Sequence, residues 1–299
     1  MIIEKRFNEL VAQVLKVQGS DLYILPHAGE YRIALIVQQR LQEITRISIE
    51  EGRKLIRYIK YQSGMNLSET RRPQLSRMVY QLGGQEYHCR ISGVGNFLNQ
   101  ESLVIRFLYQ LMDLNLQWES EKPLQRLMQT LRHTSGLILL SGKMGAGKTT
   151  TLHYLLQDVK RTRLILSVED PVELADTELL QLQVNEIAEM TYPELLKIAL
   201  RLHPEILLIG EIRDAQTAQI AIEAAMSGHL VLSTVHARSC LGVWYRMRTF
   251  GITESDLAYA LNMVGYQEMV QKVDGGVCGR LEVLDECELQ EKLKENQRA

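Results

Sequence analysis

The sequence contains little cysteine, and its cysteines have no regular spacing. The four cysteines are Cys89, Cys240, Cys278 and Cys287, and no two of them form a CxxC motif. Zinc-binding elements and disulfide frameworks both depend on close, regular cysteine spacing. The sequence therefore predicts reduced thiols and no zinc site, as in a cytosolic protein.

Long hydrophobic runs are also lacking. The longest, such as residues 33–37 and 206–209, are far shorter than the roughly 20 apolar residues that span a bilayer. Residues 1–20 mix charged and apolar side chains and hold no block of the length that a signal peptide needs. We therefore expect a cytoplasmic protein that reaches the inner face of the cell membrane only as a peripheral subunit.

Neither sign of charge is in large excess. The 34 basic and 36 acidic residues leave a net charge of −2. A ring that grips a nucleic-acid backbone is expected to carry a basic excess, so we expect no direct nucleic-acid partner. The hydrophobic share of 45% and the charged share of 23% are typical of a globular protein. The length of 299 residues predicts about two domains.

The hydrophobic pattern changes character along the chain. Residues 1–112 predict a small α+β domain, with helices at 3–15 and 49–62, a hairpin around 26–29, and strands at 85–92 and 102–107. The polar stretch that ends in Pro123 suggests a linker over 113–123. From residue 124 to 299, short apolar runs alternate with helical patterns, which predicts a mostly parallel sheet covered on both faces. These runs are 136–141, 163–168, 205–209 and 229–234, and we expect the charged tail from 286 onward to form a solvated helix.

One motif carries specific chemistry. Residues 142–149 satisfy GxxxxGK[ST] between a predicted strand and a predicted helix. In such a loop the glycines let backbone N–H groups converge on a polyphosphate, while Lys148 adds a positive charge and Thr149 suits a magnesium ion. We therefore predict binding of a nucleoside triphosphate with Mg²⁺. The predicted binding residues are Gly142, Lys143, Met144, Gly145, Ala146, Gly147, Lys148, Thr149 and Thr150.

Carboxylates follow two other predicted strands. Glu169 and Asp170 end one of them, and Glu211 comes one glycine after another. Open sheets of this class place ligand groups at the ends of their strands, and a triphosphatase needs a carboxylate there for the metal or the attacking water. Asp214 precedes a helical run, so it is either a helix cap or a catalytic group.

Four motifs in this order resemble those of the secretion-type traffic ATPases of type II secretion and type IV pilus systems. They are the phosphate loop, VEDPVE at 168–173, GEIRD at 210–214 and GHLVLSTVH at 228–236, which that family names Walker A, Asp box, Walker B and His box. In the first domain, SDLYI at 20–24, RPQ at 72–74, RIS at 90–92 and VIR at 104–106 are similar to further family motifs. The resemblance covers nearly the whole chain.

The resemblance implies a PAS-like domain followed by a RecA-like ATPase domain, assembled as a ring of six identical subunits that binds ATP and Mg²⁺. It implies that Glu211 is catalytic, that Glu169 holds water or metal, and that His229 senses the terminal phosphate near the strand ends. Thr149, Glu169 and Glu211 would form the metal site. Three arginines are candidates to neutralise phosphate charge across a domain or subunit boundary, and they are Arg77, Arg90 and Arg106. The alternative is that each is only an exposed strand residue.

Several positions depart from the family pattern. Leu75 and Ser76 replace its aspartate and glycine after RPQ, residues 202–205 replace QDPD, and Ala237 and Arg238 replace a Thr-Asn pair. A four-cysteine zinc element and the retraction-type C-terminal motif are both missing. This combination is most similar to the ATPase of the Gram-positive competence pseudopilus.

The function implied by this resemblance is a motor that acts on a polytopic membrane platform protein and assembles a pseudopilus for DNA uptake. The alternatives are an ATPase of type II secretion or pilus retraction, a nucleotide-sensing regulatory scaffold, and a DNA-translocating motor. Intact Lys148, Glu169 and Glu211 argue against the scaffold. The near-neutral charge argues against the DNA motor.

Overall fold

The computed structural model describes residues 2–37, 40–109, 111, 116–272 and 276–298. The chain divides into two compact units, Met1–Leu114 and Asn115–Ala299. The predicted border at residue 112 and the first part of the predicted linker, 113–115, lie outside the described residues. Further along that linker, residues 117–119 bond to Gly279, and a helix begins at Lys122. The exact domain limits stay a prediction.

The first unit is an antiparallel sheet with two helices among its described residues. The strands lie in the order β3-β2-β1-β6-β5-β4. Phe7 and Leu10 from one helix and Leu55 and Ile59 from the other are buried in its core. The small α+β character is confirmed, while the likeness to PAS domains stays a prediction. The elements are α1 Ile2–Lys16, β1 Asp21–His27, β2 Glu30–Val37, β3 Arg40–Ser48, α2 Ile49–Gln62, β4 Gln74–Leu82, β5 Gln85–Gly95 and β6 Glu101–Leu108.

The second unit is an α/β sandwich around a mostly parallel sheet, as predicted. The strands lie in the order β13-β12-β7-β11-β10-β8-β9, and only the β12–β13 pair is antiparallel among the pairs described. The strands are β7 Gly136–Gly142, β8 Ile165–Glu169, β9 Leu180–Gln183, β10 Ile206–Ile212, β11 Leu230–Val235, β12 Leu261–Gln271 and β13 Val277–Asp285. The helices are α3 Lys122–Thr130, α4 Lys148–Leu156, α5 Tyr192–Arg201, α6 Ala215–Met226, α7 Cys240–Thr249, α8 Glu254–Ala260 and α9 Glu286–Arg298.

The central strand β7 shows why this sheet must be covered on both faces. Successive side chains of a strand point to opposite faces. Leu137 and Leu139 are buried in one apolar cluster, whereas Ile138 and Leu140 are buried in the other. Because β7 is apolar on both faces, helices pack on both sides of it. The phosphate loop follows its carboxyl end.

The terminal helix differs from the expectation of a solvated tail. Leu289 and Leu293 of α9 are buried in the same cluster as Leu137. Arg126 of α3 also bonds to Glu288 at 2.7 Å. The prediction of a solvated helix is wrong for this face, because two leucines four residues apart form an apolar stripe within a charged sequence. In the part of the chain that is described, no helix is both long and apolar enough to cross a bilayer.

Candidate functional site

The predicted phosphate loop and carboxylates meet at one edge of the second unit's sheet. β7, β11, β10 and β8 are parallel neighbours, so the segments that follow them leave from the same edge. This edge carries residues 142–149 after β7, Glu169 at the end of β8 and Glu211 near the end of β10. The structure therefore brings the three predicted motifs together.

The phosphate loop wraps around the ammonium group of Lys148. Its Nζ donates to the carbonyl oxygens of Gly142 and Lys143, both at 3.0 Å. Burial lowers the pKa of this lysine, and the charges of Glu211 and Glu173 oppose that shift in part. The helix α4 begins at Lys148, so its first N–H groups and its positive dipole end lie at the loop. The arrangement can bind an anion with several negative charges.

Glu211 is the accessible carboxylate of this edge. The β10–β11 register shifts between Ile209 and Ile212, a bulge that changes the direction of the side chains at this point. Glu211 accepts a hydrogen bond from Arg213, and its Oε2 lies 3.3 Å from His236 Nε2. Burial raises the pKa of the carboxyl, but the hydrogen bond from Arg213 and the nearby positive charges outweigh it, so the net shift is downward. Glu211 is therefore an ionised group with 23% of its side chain exposed.

Glu169 is more deeply placed. It is 2% exposed, and its Oε1 accepts hydrogen bonds from Ser167 at 2.7 Å and Gln181 at 3.2 Å. His153 of α4 points Nε2 toward the other oxygen at 3.7 Å, which is beyond hydrogen-bond length. Burial raises the pKa of Glu169, while His153, Ser167 and Gln181 lower it further than burial raises it. This carboxylate is held by its neighbours, whereas that of Glu211 faces solvent in part.

Tyr192 ties the two carboxylate-bearing strands together. Its hydroxyl donates to the Val168 carbonyl at 2.9 Å and accepts from the Glu211 backbone N–H at 3.3 Å. Burial raises the pKa of this phenol, so it remains a hydrogen-bond donor. A side chain added at Gly210 would lie 3.3 Å from the same hydroxyl and 3.4 Å from Glu169. The glycine before Glu211 therefore permits close approach of β10 to this pair.

The two histidines that flank β11 lie at opposite ends of the sheet, and the predicted location of His229 is wrong. His229 precedes the strand, its carbonyl accepts from Gly136 at the start of β7, and its ring lies 3.3 Å from the Ala224 carbonyl. His236 follows the strand and contacts Glu211. The six residues of β11 lie between the two histidines, which at about 3.3 Å per residue are therefore roughly 20 Å apart. His236 is therefore the histidine of the phosphate edge.

The three candidate arginines lie in one row across the sheet of the first unit. Arg77 is paired with Arg90, Arg90 with Arg106, and Arg106 with Asp21. Residues directly opposite each other on antiparallel strands project from the same face. Arg106 Nε donates to Asp21 at 2.7 Å, while its side chain remains half exposed. The row concentrates positive charge on one face of this unit.

Asp214 is a helix cap. Its carboxylate accepts a hydrogen bond from the Thr217 N–H at 2.7 Å at the start of α6. Of the two roles left open by the sequence, capping is the one that the structure displays. The neighbouring Asp170 lies 3.4 Å from Arg213, so the same arginine links it with Glu211.

The residues at this edge fit a magnesium ion that is held mainly by phosphate and water. Among the described residues, no group of three or more His, Cys, Asp or Glu side chains could hold a metal ion by itself. Mg²⁺ commonly takes only one or two protein oxygens besides phosphate oxygens and waters. The hydroxyl of Thr149 at the start of α4 and the carboxylate of Glu211 are oxygens of that kind.

Residues 1–297 match the family described as Type II/IV secretion system protein. The chain belongs to this family. ComGA, a competence protein of Bacillus subtilis (strain 168), is 37% identical over 272 residues, which are 90% of this chain and 76% of that protein. ComGA of Streptococcus pneumoniae (strain ATCC BAA-255 / R6) is 34% identical over 270 residues, which are 90% of this chain and 85% of that protein.

Another family relative is longer. The type II secretion system protein E of Pectobacterium carotovorum subsp. carotovorum is 34% identical over 273 residues, which are 90% of this chain and 55% of that protein. The chain therefore spans most of the competence relatives but about half of this secretion relative. The predicted likeness to secretion and competence ATPases is confirmed.

Two solved structures share the fold. The Legionella pneumophila ATPase DotB superposes with a TM-score of 0.78 at 22% identity, covering 97% of this chain and 83% of that one. The pilus retraction motor PilT with bound ADP superposes with a TM-score of 0.70 at 22% identity, covering 97% of this chain and 89% of that one. The predicted α/β architecture is thereby confirmed.

Sequence reasoning missed two residues that the structure places at the site. Tyr192 belongs to no motif, and only the order of the strands reveals that it bridges β8 and β10. Gln267 lies on β12, which had not been predicted as a strand, and it contacts the phosphate loop. His236 had a usable signal, since it follows a strand whose neighbours carry the phosphate loop.

Proposed function

We propose that the chain is a Mg²⁺-dependent ATPase that drives assembly of a type IV-like competence pseudopilus for DNA uptake. The observation that carries the proposal is the meeting of the phosphate loop, with Lys148, and the accessible carboxylate of Glu211 at one edge of the parallel sheet. The two ComGA relatives support the competence assignment, because the chain spans most of their length.

We assign separate tasks to these residues. The phosphate loop and Lys148 bind the β- and γ-phosphates, and Glu211 orients a water for in-line attack on the γ-phosphorus, so that the bond to the leaving ADP oxygen breaks. His236, which contacts Glu211, senses the terminal phosphate through that carboxylate. Bound Mg²⁺, held by Thr149 with Glu211 and Glu169 as the further oxygen groups, would neutralise phosphate charge.

We also propose that the protein works as a ring of about six subunits. The row of Arg77, Arg90 and Arg106 belongs to the first unit, whereas the phosphate loop belongs to the second. Arginines stabilise the charge of phosphoryl transfer only when they approach the phosphates. A site shared between subunits of the ring would give these arginines that role, and its closure would be coupled to movement. The partner moved by the ring is a polytopic platform protein of the membrane.

The test separates binding from hydrolysis. Lys148→Ala should lose ATP binding, whereas Glu211→Gln should bind ATP and hydrolyse it at least a hundredfold more slowly, because a neutral amide cannot accept the proton of the attacking water. ATP titration and steady-state phosphate release on the same preparations measure both. If Glu211→Gln hydrolysed ATP at the wild-type rate, the catalytic role would have to be assigned to Glu169 instead.

A cellular experiment separates the competence function from its alternatives. The gene is deleted in its own host, and the strain is complemented with either the wild-type gene or Glu211→Gln. The wild-type gene should restore DNA uptake and surface pseudopili, whereas Glu211→Gln should not. Loss of protein secretion with intact DNA uptake would support a type II secretion ATPase instead. Normal uptake with the hydrolysis-deficient variant would support a nucleotide-sensing scaffold.

A further inference from the structure

Gln267 joins the phosphate loop to the strand beside it. This residue of β12 is 2% exposed, although its side chain is polar. Its Nε2 donates to the Ala146 carbonyl at 2.6 Å, and its Oε1 accepts from Thr151 Oγ1 at 2.8 Å. One amide therefore bonds both to the loop and to the first turn of α4.

The same residue explains two glycines of the phosphate loop. A side-chain carbon added at Gly142 would lie 2.1 Å from the Gln267 carbonyl oxygen, a distance that no carbon can occupy. One added at Gly147 would lie 3.1 Å from Gln267 Nε2, and Gly147 has a φ of +81° besides. These glycines are needed because Gln267 approaches the loop so closely.

The hydrogen bond to Ala146 fixes the direction of a phosphate-facing group. A trans peptide is planar, so its C=O and N–H point in opposite directions. Since the Ala146 carbonyl points at Gln267, the N–H of Gly147 in the same peptide points away from β12. Backbone N–H groups of such loops bind phosphate, so rotation of this peptide would misdirect one of them.

The Gln267 amide lies beside Gly279 of β13. Gly279 lies beside it, since a side-chain carbon there would be 3.6 Å from Gln267 Nε2 and 3.2 Å from the Trp118 ring. Residues 117 and 119 bond to Gly279 through backbone hydrogen bonds of 2.8 Å each. The Trp118 ring also packs on Tyr154 of α4, with 4.7 Å between ring centroids. The amide is therefore fixed by its own two hydrogen bonds, to the Ala146 carbonyl and to Thr151, in a closely packed part of the unit.

We propose that Gln267 is a positioning residue of the ATPase site, which holds the phosphate loop in the curvature that receives a di- or triphosphate group. This inference rests on the proposed function, because it assigns Gln267 to the same phosphate site. It concerns binding of phosphate and not the chemical step.

The experiment compares two glutamines of one strand in the full-length chain. Gln267→Leu keeps the approximate volume and removes both hydrogen bonds, and Gln271→Leu, at an exposed position of β12, is the control. Titration with ADP, and separately with inorganic pyrophosphate, should show binding about tenfold weaker for Gln267→Leu, the consequence of losing about two net hydrogen bonds. The control should bind both ligands as wild type does.

Steady-state kinetics distinguish positioning from mere packing. The Gln267→Leu variant should raise KM for ATP about tenfold and leave kcat within a few-fold, the expected result when uniform binding is lost. If KM and pyrophosphate binding were unchanged while the melting temperature fell, Gln267 would be only a packing residue and the inference would be overturned. If wild type itself bound neither ADP nor pyrophosphate, the proposed function would fail first.

A milder variant keeps the test decisive if Gln267→Leu does not fold. Thr151→Val removes only the hydroxyl that bonds to Gln267 and should weaken ADP binding a few-fold. Where both variants fold, the double variant should bind ADP about as weakly as Gln267→Leu alone, because both changes break the same contact. Wild-type affinity in Thr151→Val, or fully additive effects in the double variant, would contradict the inference.

Discussion

The two histidines that flank β11 allow a matched pair of substitutions to test the location of the site. His236→Ala is expected to lower ATP turnover about tenfold, whereas His229→Ala should leave it within twofold. The reason is location, because His236 Nε2 lies 3.3 Å from Glu211, while His229 lies at the opposite end of the strand. Both residues belong to one short motif, so membership of the motif does not distinguish them.

The magnitudes follow from these positions. A hydrogen bond to a charged group contributes about 1.5–3 kcal/mol, or roughly 10- to 100-fold in rate, and this sets the upper limit for the 3.3 Å contact between His236 and Glu211. His236 is 52% exposed on its side chain, so solvent screening favours the lower end of that range, about tenfold. A charge about 20 Å away in water contributes only about 0.2 kcal/mol, which salt screens further.

The assay is steady-state phosphate release at saturating ATP and Mg²⁺, with the melting temperature measured on the same preparations. His236→Gln serves as the conservative variant, because its amide can still donate to Glu211 and should recover part of the lost turnover. The reasoning would be refuted if His229→Ala lowered turnover more than His236→Ala did while leaving the melting temperature unchanged.

Three further predictions concern the rest of the chain. Lys60→Ala should lower the free energy of unfolding by about 3 kcal/mol or more in urea titrations, because the fully buried Lys60 bonds to Glu101 at 2.5 Å and its loss leaves that carboxylate unpaired. Adding Glu101→Gln to this variant should recover part of the lost free energy of unfolding. Gly142→Ala should abolish ADP binding measured by calorimetry, since the added carbon meets the Gln267 carbonyl, whereas Gly83→Ala, at a turn with open space, should not. Burial raises the pKa of Asp176, but hydrogen bonds, chiefly from Lys160, bring it below its ordinary value of 3.8. The ionised carboxylate therefore stabilises the folded state above that pH, and this stabilisation is lost as the pH falls below it. The difference in unfolding free energy between wild type and Asp176→Asn should accordingly shrink from pH 6 to pH 3.

The elements predicted from the sequence are those with a strong apolar period or a turn signal. The hairpin of β1 and β2 was predicted from its turn, and Ala28 and Gly29 do adopt positive φ there. β3 and β4 were missed because they are the two edges of their sheet and bury few side chains, Ile47 and Met78 among them. Edge strands are commonly polar, so they lack the alternation that identifies a strand.

The missing strand β12 had a different cause. Helix α8 ends at Ala260 and β12 begins at the next residue, with Leu261 already in extended conformation, so no glycine or proline marks the boundary. Without that strand, Gln267 had no predicted neighbour. The phosphate loop was recognised because its chemistry is local in sequence, whereas the residue that supports it lies 120 positions away and is brought near only by the pairing of β12 with β7.

The choice of His229 over His236 as the histidine near the phosphate was avoidable from the sequence, because the direction of the strands distinguishes the two positions. A phosphate loop follows its strand, so it marks the carboxyl edge of a parallel sheet. The neighbouring strands β11, β10 and β8 run the same way as β7, so residues that follow one of these strands lie at that edge, as Glu169 and Glu211 do. His229 precedes its strand and His236 follows it, so strand direction alone selects His236. A motif that contains two chemically identical side chains must therefore be interpreted with the polarity of its strand before either side chain is given a role.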